Sequence, residues 1–256
     1  MNALQDRVVV VTGGAGGIAR GIAEAILEAG GCVALFDLDR SKVAQAAATL
    51  NAEGRAIGLE ADVTDKASLE AAFDAAVAKW GRLDGLVNNA GIVRLGPAEE
   101  TTAEGFDLEY AVNVKGVLLA SQIAAKHFAG KGGAIVNVAS NAGKVGYRNM
   151  AGYNASKAAV INLTRSLALE WAEKGINVNA VCPGGVGTDM LKSVADFLAP
   201  RLGQDAGALF DTMHPAQLGR HVRPVEVGRV IAFLLSDAGV IIRGQSINVD
   251  GGDTPY

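Results

Sequence analysis

Tyr153 and Lys157 stand four residues apart in the stretch AGYNASKAAV, residues 151–160. On an α-helix that spacing makes them neighbours on one face. A nearby cation favours a phenolate over a phenol, so Lys157 is expected to lower the Tyr153 pKa from about 10 towards neutrality. Tyr153 would then both give and take protons. An isolated pair at this spacing is more often two side chains sharing a face by chance, so the rest of the chain must supply a reason for the proton transfer.

A glycine-rich turn supplies one. The segment VVVVTGGAGGIARGIAEAILEAGG runs from an apolar strand through glycines into a helical pattern. Gly14, Gly16 and Ala19 fit the G-x-G-x-x-G/A spacing: a tight turn, close backbone approach to a pyrophosphate, and close packing of helix on strand. A dinucleotide diphosphate would sit over the N-terminus of that helix, where free N–H groups and the helix dipole favour anions. Asp37 ends the next apolar run, CVALFD, where a carboxylate accepts hydrogen bonds from an adenosine ribose. A 2′-phosphate some 4 Å away would be repelled by about 1 to 4 kcal/mol, roughly five- to a thousandfold in affinity, so NAD is expected over NADP. The competing reading has Asp37 capping the next turn and Arg40 pairing with a phosphate.

The elements that must position these groups follow a β-α-β-α pattern. Short apolar runs at Val8–Val11, Cys32–Phe36, Ala56–Glu60, Leu83–Val87, Ala134–Ala139, Asn177–Cys182 and Ser246–Val249 read as strands. Between them lie alanine-rich helical segments such as SKVAQAAATLNAEG and DKASLEAAFDAAVAKWG, each closed by a glycine suited to a left-handed helix end. Nearly continuous apolar strands suit a sheet covered on both faces. The expected fold is α/β: one Rossmann-type, doubly wound domain over residues 1–256, with about seven parallel strands and helices on both faces. Residues 184–223 form the longest stretch without a clear pattern, read either as a substrate-covering segment or as an ordinary amphipathic helix pair. Ser140 ends a strand, and ligands of open α/β sheets bind beyond the carboxyl ends of the strands.

Composition narrows the function classes. A 256-residue chain, half hydrophobic, suffices for one large core. A formal charge of −4 argues against a nucleic-acid or anionic-membrane surface. The opening MNALQDRVVVVTGG does not read as a signal peptide, and VIAFLLSDAGVII is broken by Asp237 well short of a membrane span. A soluble, cytoplasmic protein is expected. Cys32 and Cys182 read as reduced core thiols, and His127, His214 and His221 lack metal-ligand spacing, so no structural metal is expected.

Taken together, the motifs resemble the short-chain dehydrogenase/reductase family over nearly the whole chain. TGGAGGIA, Thr12 to Ala19, is similar to that family's T-G-x-x-x-G-x-G turn, with Ala19 in place of the last glycine. The resemblance implies that Gly13, Gly16, Gly17, Ile18, Asp37, Asp62, Val63, Asn89, Ala90, Gly91, Tyr153, Lys157, Pro183, Gly184, Val186 and Thr188 bind the cofactor. Within that set it assigns Asp62 and Val63 of ADV to the adenine, NNAG to the fourth strand end, and PGGVGT to the nicotinamide end. It also makes Asn113 of NVKG, Ser140 of NVAS, and Tyr153 and Lys157 of YNASK a catalytic tetrad. By the same resemblance Lys157 binds the nicotinamide ribose, and Asn113 bends its helix and holds a water in a proton path.

The implied reaction is a reversible hydride transfer between NAD and a secondary alcohol, with Tyr153 as general acid and base and Ser140 holding the reacting oxygen. In NAGKVGYRNMAGY, Lys144, Tyr147, Arg148 and Asn149 are either polar substrate contacts or solvated loop residues. The ending SINVDGGDTPY and the long segment after Thr188 are similar to polyol and vicinal-diol dehydrogenases of the family. A 3-oxoacyl thioester reductase is the nearest alternative; a non-catalytic NAD-sensing module is a more distant one. Alanine-rich faces around Asn113 and Tyr153 imply, by resemblance, a homo-oligomer, dimer or tetramer.

Overall fold

The computed structural model of the protein describes residues 3–128 and 130–254. Met1, Asn2, Ala129, Pro255 and Tyr256 lie outside them, so the start of the amino-terminal segment and the end of SINVDGGDTPY are not described. The strands are β1 Val8–Thr12, β2 Cys32–Asp37, β3 Ala56–Glu60, β4 Gly85–Asn88, β5 Gly133–Val138, β6 Ile176–Pro183 and β7 Ser246–Val249. The helices are α1 Ala19–Glu28, α2 Arg40–Thr49, α3 Lys66–Trp80, α4 Ala103–Tyr110, α5 Gly116–His127, α6 Ala151–Glu170, α7 Asp189–Leu202, α8 Ala206–Thr212 and α9 Pro224–Leu235.

All seven strands are parallel, in the order β3-β2-β1-β4-β5-β6-β7. Continuous apolar strands are explained by what lies on each face. Successive side chains of a strand alternate between faces. Val9 and Val11 pack with Ile22 and Ile26 of α1 and with Val227 and Ile231 of α9. Val8 and Val10 pack with Phe73 of α3, Ile123 of α5 and Leu167 of α6 on the other face.

Each expected strand is present, with shifts at the ends. β4 starts two residues after the expected Leu83, because Asp84 is spent on β1: its carboxylate accepts from Val8 N at 2.8 Å and its N–H donates to Val8 O at 2.9 Å. β5 is shifted one residue early at both ends, β1, β2 and β4 each end one residue later than expected, and β6 gains one residue at each end. Gly81 closes α3 in the left-handed conformation, φ 74°. The expected glycine end of the preceding helix is not used: α2 stops at Thr49, and Asn51 takes the positive φ, 48°, well before Gly54. Asparagine is the other residue that tolerates this region. Residues 184–223 contain α7 and α8, so a helix pair occupies the segment.

Backbone touches backbone where α1 crosses α9. A Cβ on Gly21 would run into the Pro224 carbonyl, and one on Gly228 into the Gly21 carbonyl. Neither obstacle is a flexible side chain that can swing aside. Gly228→Ala is therefore expected to destabilise the fold by about 3 kcal/mol or more, the upper end of overpacking effects, read as a lowered urea midpoint.

Candidate active site

Strand order reverses between β1 and β4, and the loops leaving these two strands border one cavity of about 580 Å³. That volume lies within the usual range for small-molecule and cofactor sites. The turn after β1 takes positive φ at Gly13, 63°, and Gly17, 60°. Gly14, expected to make the tight turn, instead packs on β2: a Cβ there would lie 2.7 Å from Leu35 Cβ. Gly16 and Gly17 line the cavity, and a Cβ on either would meet nothing within 4 Å. The bare backbone they present, leading into α1 with no side chain capping its N-terminus at Ile18, fits a diphosphate. Ala19 is fully buried beneath. Across the reversal, Thr12 Oγ1 accepts from Asn89 N and Ala90 N, both at 3.1 Å, and Asn89 Nδ2 donates to Thr12 O and Gly13 O, both at 3.0 Å.

Asp37 also lines the cavity. One carboxylate oxygen accepts from Ala15 N at 3.0 Å and the other from Asp39 N at 3.2 Å. It thus ties the glycine turn to the end of β2 and makes the local turn of the competing reading as well. Two further acceptor directions remain for a ribose. Arg40 is exposed and does not line the cavity.

Ser140, just past β5, and Tyr153 and Lys157 on α6 meet on the same cavity wall. The Ser140 hydroxyl lies beside the Tyr153 phenol and favours its ionised form; its Oγ accepts from Ala142 N at 3.1 Å and donates to Asn141 Oδ1 at 3.4 Å. Asn113 does not line the cavity. It is fully buried in a π-turn, Ala111–Lys115, between α4 and α5, a feature often found at functional sites. Its Oδ1 accepts from Ile92 N at 2.9 Å, and its Nδ2 donates to Ile92 O at 2.9 Å and Ser156 Oγ at 3.0 Å. Asn113 and Lys157 converge on Gly91: a Cβ there would lie 3.3 Å from both Asn113 Oδ1 and Lys157 Nζ.

One expectation is reversed. Burial pushes the Tyr153 phenol above its ordinary value; the Ser140 hydrogen bond pulls it down and the Glu109 carboxylate adds to the rise. Lys157 is not among the causes. Its ammonium lies 5.6 Å from the centroid of the Tyr153 ring and donates to Val138 O at 2.9 Å. Helical spacing did bring the pair together, but desolvation sets the direction of the shift. The same burial, with Lys157 only 4% exposed, drives its own pKa down from 10.5 to about 8.

Of the other expected cofactor contacts, Pro183, Gly184, Val186 and Thr188 line the cavity, and Asp62 and Val63 do not. Asp62 instead accepts from Thr64 N at 2.8 Å and Thr64 Oγ1 at 2.7 Å, and Val63 packs where a Gly116 Cβ would be. Met190, Leu191 and Val194 of α7 supply an apolar wall, joined by Met213 and His214 after α8. Of Lys144, Tyr147, Arg148 and Asn149 only Tyr147 reaches the cavity; the Lys144 ammonium donates to Ser246 O at 2.9 Å. Sequence reasoning missed Asn141 and Asp253, which line it beside Tyr147. Asn141 follows Ser140 directly and had a signal in that adjacency; Asp253 had none.

Unfolded, Lys157 keeps its proton up to 10.5; folded, only up to about 8. Between these values the unfolded chain binds more protons, so stability rises with pH, and below pH 8 the fold bears a full penalty of about 3 kcal/mol. Lys157→Met removes that penalty and the bond to Val138, the latter worth about 1 kcal/mol. The cofactor-free variant is expected to gain about 2 kcal/mol at pH 7 and nothing at about pH 9.5, as chemical denaturation at the two pH values checks.

A family model described as "Enoyl-(Acyl carrier protein) reductase" matches residues 13–254. The chain is similar to 2-(S)-hydroxypropyl-CoM dehydrogenase 3 of Xanthobacter autotrophicus (strain ATCC BAA-1158 / Py2), 41% identical over 258 residues that cover 99% of this chain and 98% of the relative. It is also similar to D-threitol dehydrogenase of Mycolicibacterium smegmatis (strain ATCC 700084 / mc(2)155), 39% identical over 254 residues covering 98% and 94%. Among solved structures, levodione reductase superposes with a TM-score of 0.90 at 34% identity, covering 99% of this chain and 100% of that one. Family model, relatives and shared fold agree with the ordered motifs: the chain belongs to the short-chain dehydrogenase/reductase family.

Proposed function

We propose that the protein interconverts a secondary alcohol, of the polyol or vicinal-diol type, and the corresponding ketone, with NAD as its cofactor. The observation that carries this reading is that Ser140 and Tyr153 line the same cavity as the Gly13–Ile18 turn and Asp37. A proton donor and acceptor therefore shares one chamber with a cradle for a dinucleotide. Relatives named for threitol and for a hydroxypropyl group support an alcohol substrate.

When bound, the nicotinamide supplies the carbon that takes up or releases hydride. Gly16, Gly17 and Ile18 would hold the diphosphate, Asp37 would take the adenosine ribose, and Pro183, Gly184, Val186 and Thr188, which also line the cavity, would border the reacting end. The Tyr153 Oη is the proton carrier, donating to the carbonyl oxygen in reduction and accepting from the hydroxyl in oxidation. With its pKa raised, the phenol is protonated at neutral pH and ready for reduction. Oxidation requires it to ionise first. Ser140, on the same cavity wall, orients the same substrate oxygen. Lys157 would reach the ribose hydroxyls, and with Asn113 it brackets Gly91.

A cytoplasmic homo-oligomer is part of the same reading. Free cysteines at Cys32 and Cys182 suit a reducing compartment, and Leu169, 80% exposed, and Ile241, 87% exposed, leave aliphatic surface for a second copy. Among the described residues no helix is long and apolar enough to cross a membrane.

Two experiments test the proposal. NADH absorbance on mixing the protein and NAD with diols, polyols and cyclic alcohols should rise, and Tyr153→Phe should keep NAD binding while losing at least about a hundredfold in turnover; undiminished turnover in that variant would remove Tyr153 from the reaction. Catalytic efficiency should favour NAD over NADP roughly five- to a thousandfold, and Asp37→Asn, which keeps an acceptor oxygen but no charge, should narrow the gap.

A further inference from the structure

The chain doubles back after β7 in a turn whose construction fixes one exposed carboxylate. Asp250, 3% exposed, accepts from Gly252 N at 3.1 Å and Thr254 N at 2.9 Å. Gly251 and Gly252 take φ of 65° and 86°, Gln217 Nε2 donates to Gly252 O at 2.9 Å, and Asn248 Nδ2 donates to Thr254 O at 3.0 Å. Asp253, between these anchors, lines the cavity.

Asn141 holds the Asp253 carboxylate in place there and is itself anchored by Tyr147. Asn141 Nδ2 donates to Asp253 Oδ2 at 3.1 Å and to the Tyr147 hydroxyl at 2.8 Å, using both amide hydrogens. Burial, followed by the nearby Asp253 charge, pushes the Tyr147 phenol above its ordinary value, so it stays protonated beside the carboxylate. Asn141 is itself clamped, since a Cβ on Gly184 would lie 2.5 Å from its Nδ2. Its Oδ1 faces Ser140 Oγ at 3.4 Å, which sets the cluster next to the reacting oxygen. Asp253 makes no ion pair among the described residues, so the charge is met only by neutral donors. A carboxylate has about four acceptor directions, of which Asn141 takes one.

We propose that Asp253, oriented by Asn141, which Tyr147 anchors in turn, accepts a hydrogen bond from a second hydroxyl of an uncharged diol or polyol and turns away substrates that carry an anionic group. The inference rests on the alcohol dehydrogenase reading above and adds the group that selects among alcohols. A bond to a hydroxyl remote from the reacting carbon is equally present before and during the reaction, so it acts on KM and leaves kcat nearly unchanged. A substrate anion about 6 Å from Asp253 would be disfavoured about 3- to 100-fold.

Kinetics with butane-2,3-diol, butan-2-ol and 3-hydroxybutyrate test this. For Asp253→Ala, KM for the diol should rise about tenfold while kcat and the monoalcohol parameters change less than about twofold. Asp253→Asn, which keeps the size and an acceptor oxygen, should raise kcat/KM for the hydroxy acid about 3- to 100-fold. Tyr147→Phe should move diol KM in the same direction by a smaller factor. Diol and monoalcohol efficiencies falling together in Asp253→Ala, or no gain with the hydroxy acid in Asp253→Asn, would overturn the assignment while leaving the dehydrogenase reading intact. Failure of the wild type to oxidise any alcohol would overturn both.

Discussion

The constraint on which the site depends is topological: a parallel sheet wound outward in both directions from its middle must part its connections where the winding reverses. β1 leads into α1 on one face, and β4 leads through α4 and the π-turn into α5 on the other. The carboxyl ends of two neighbouring strands therefore have no helix crossing directly over them. The two departing loops still have to stay close. Thr12 and Asn89 bond across the gap, and a Cβ on Gly13 would lie 2.7 Å from the Ala90 Cα. Small residues at this point are a steric condition of the fold, and the bare backbone they leave is also what a diphosphate needs.

Much of this was legible because it is local. Continuous apolar strands, the glycine turn, the carboxylate ending β2 and the Tyr153–Lys157 spacing each depend on residues a few positions apart. The sign of the Tyr153 shift was not, because it depends on how much water the whole fold removes. Spacing correctly placed a lysine beside the tyrosine, but beside its ring, with the ammonium committed to the Val138 carbonyl. Glu109, which pushes the phenol further up, is 44 positions away in the chain and buried under the start of α6, where Gly152 leaves room for its carboxylate. Asp253 was illegible for a related reason: a lone acidic residue near a chain end carries no pattern, and only the Asp250 turn aims it.

A buried polar ladder explains how α6 holds its place. Apolar side chains alone define a face of a helix well but resist sliding along the sheet poorly, since a neighbouring alanine or valine fills nearly the same space. Hydrogen bonds do not tolerate such a slip. Asn88 Nδ2, at the end of β4, donates to Ser121 Oγ of α5 at 2.9 Å and to Asn137 Oδ1 of β5 at 2.8 Å. Asn137 Nδ2 donates to Thr164 Oγ1 of α6 at 2.9 Å, and that hydroxyl donates to Val160 O at 2.8 Å. Asn137, Ser121 and Thr164 are fully buried, and Asn88 is 2% exposed. Breaking any rung would strand a desolvated amide or hydroxyl, typically a matter of about 1 to 3 kcal/mol.

Thr164 lies two helical turns beyond Lys157 and about three beyond Tyr153, on the stripe of α6 that also buries Val160 and Leu167. Pinning Thr164 to Asn137 therefore sets how far the helix extends over the end of β5, and with it where Lys157 meets the Val138 carbonyl, one residue past Asn137. The two contacts are made by one strand and one helix at neighbouring rungs, so each supports the other's register. A slip of one residue would rotate Tyr153 by about 100° away from Ser140. The ladder thus converts strand pairing, which hydrophobic burial can drive by itself, into the side-chain placement that proton transfer demands and that burial alone would leave loose.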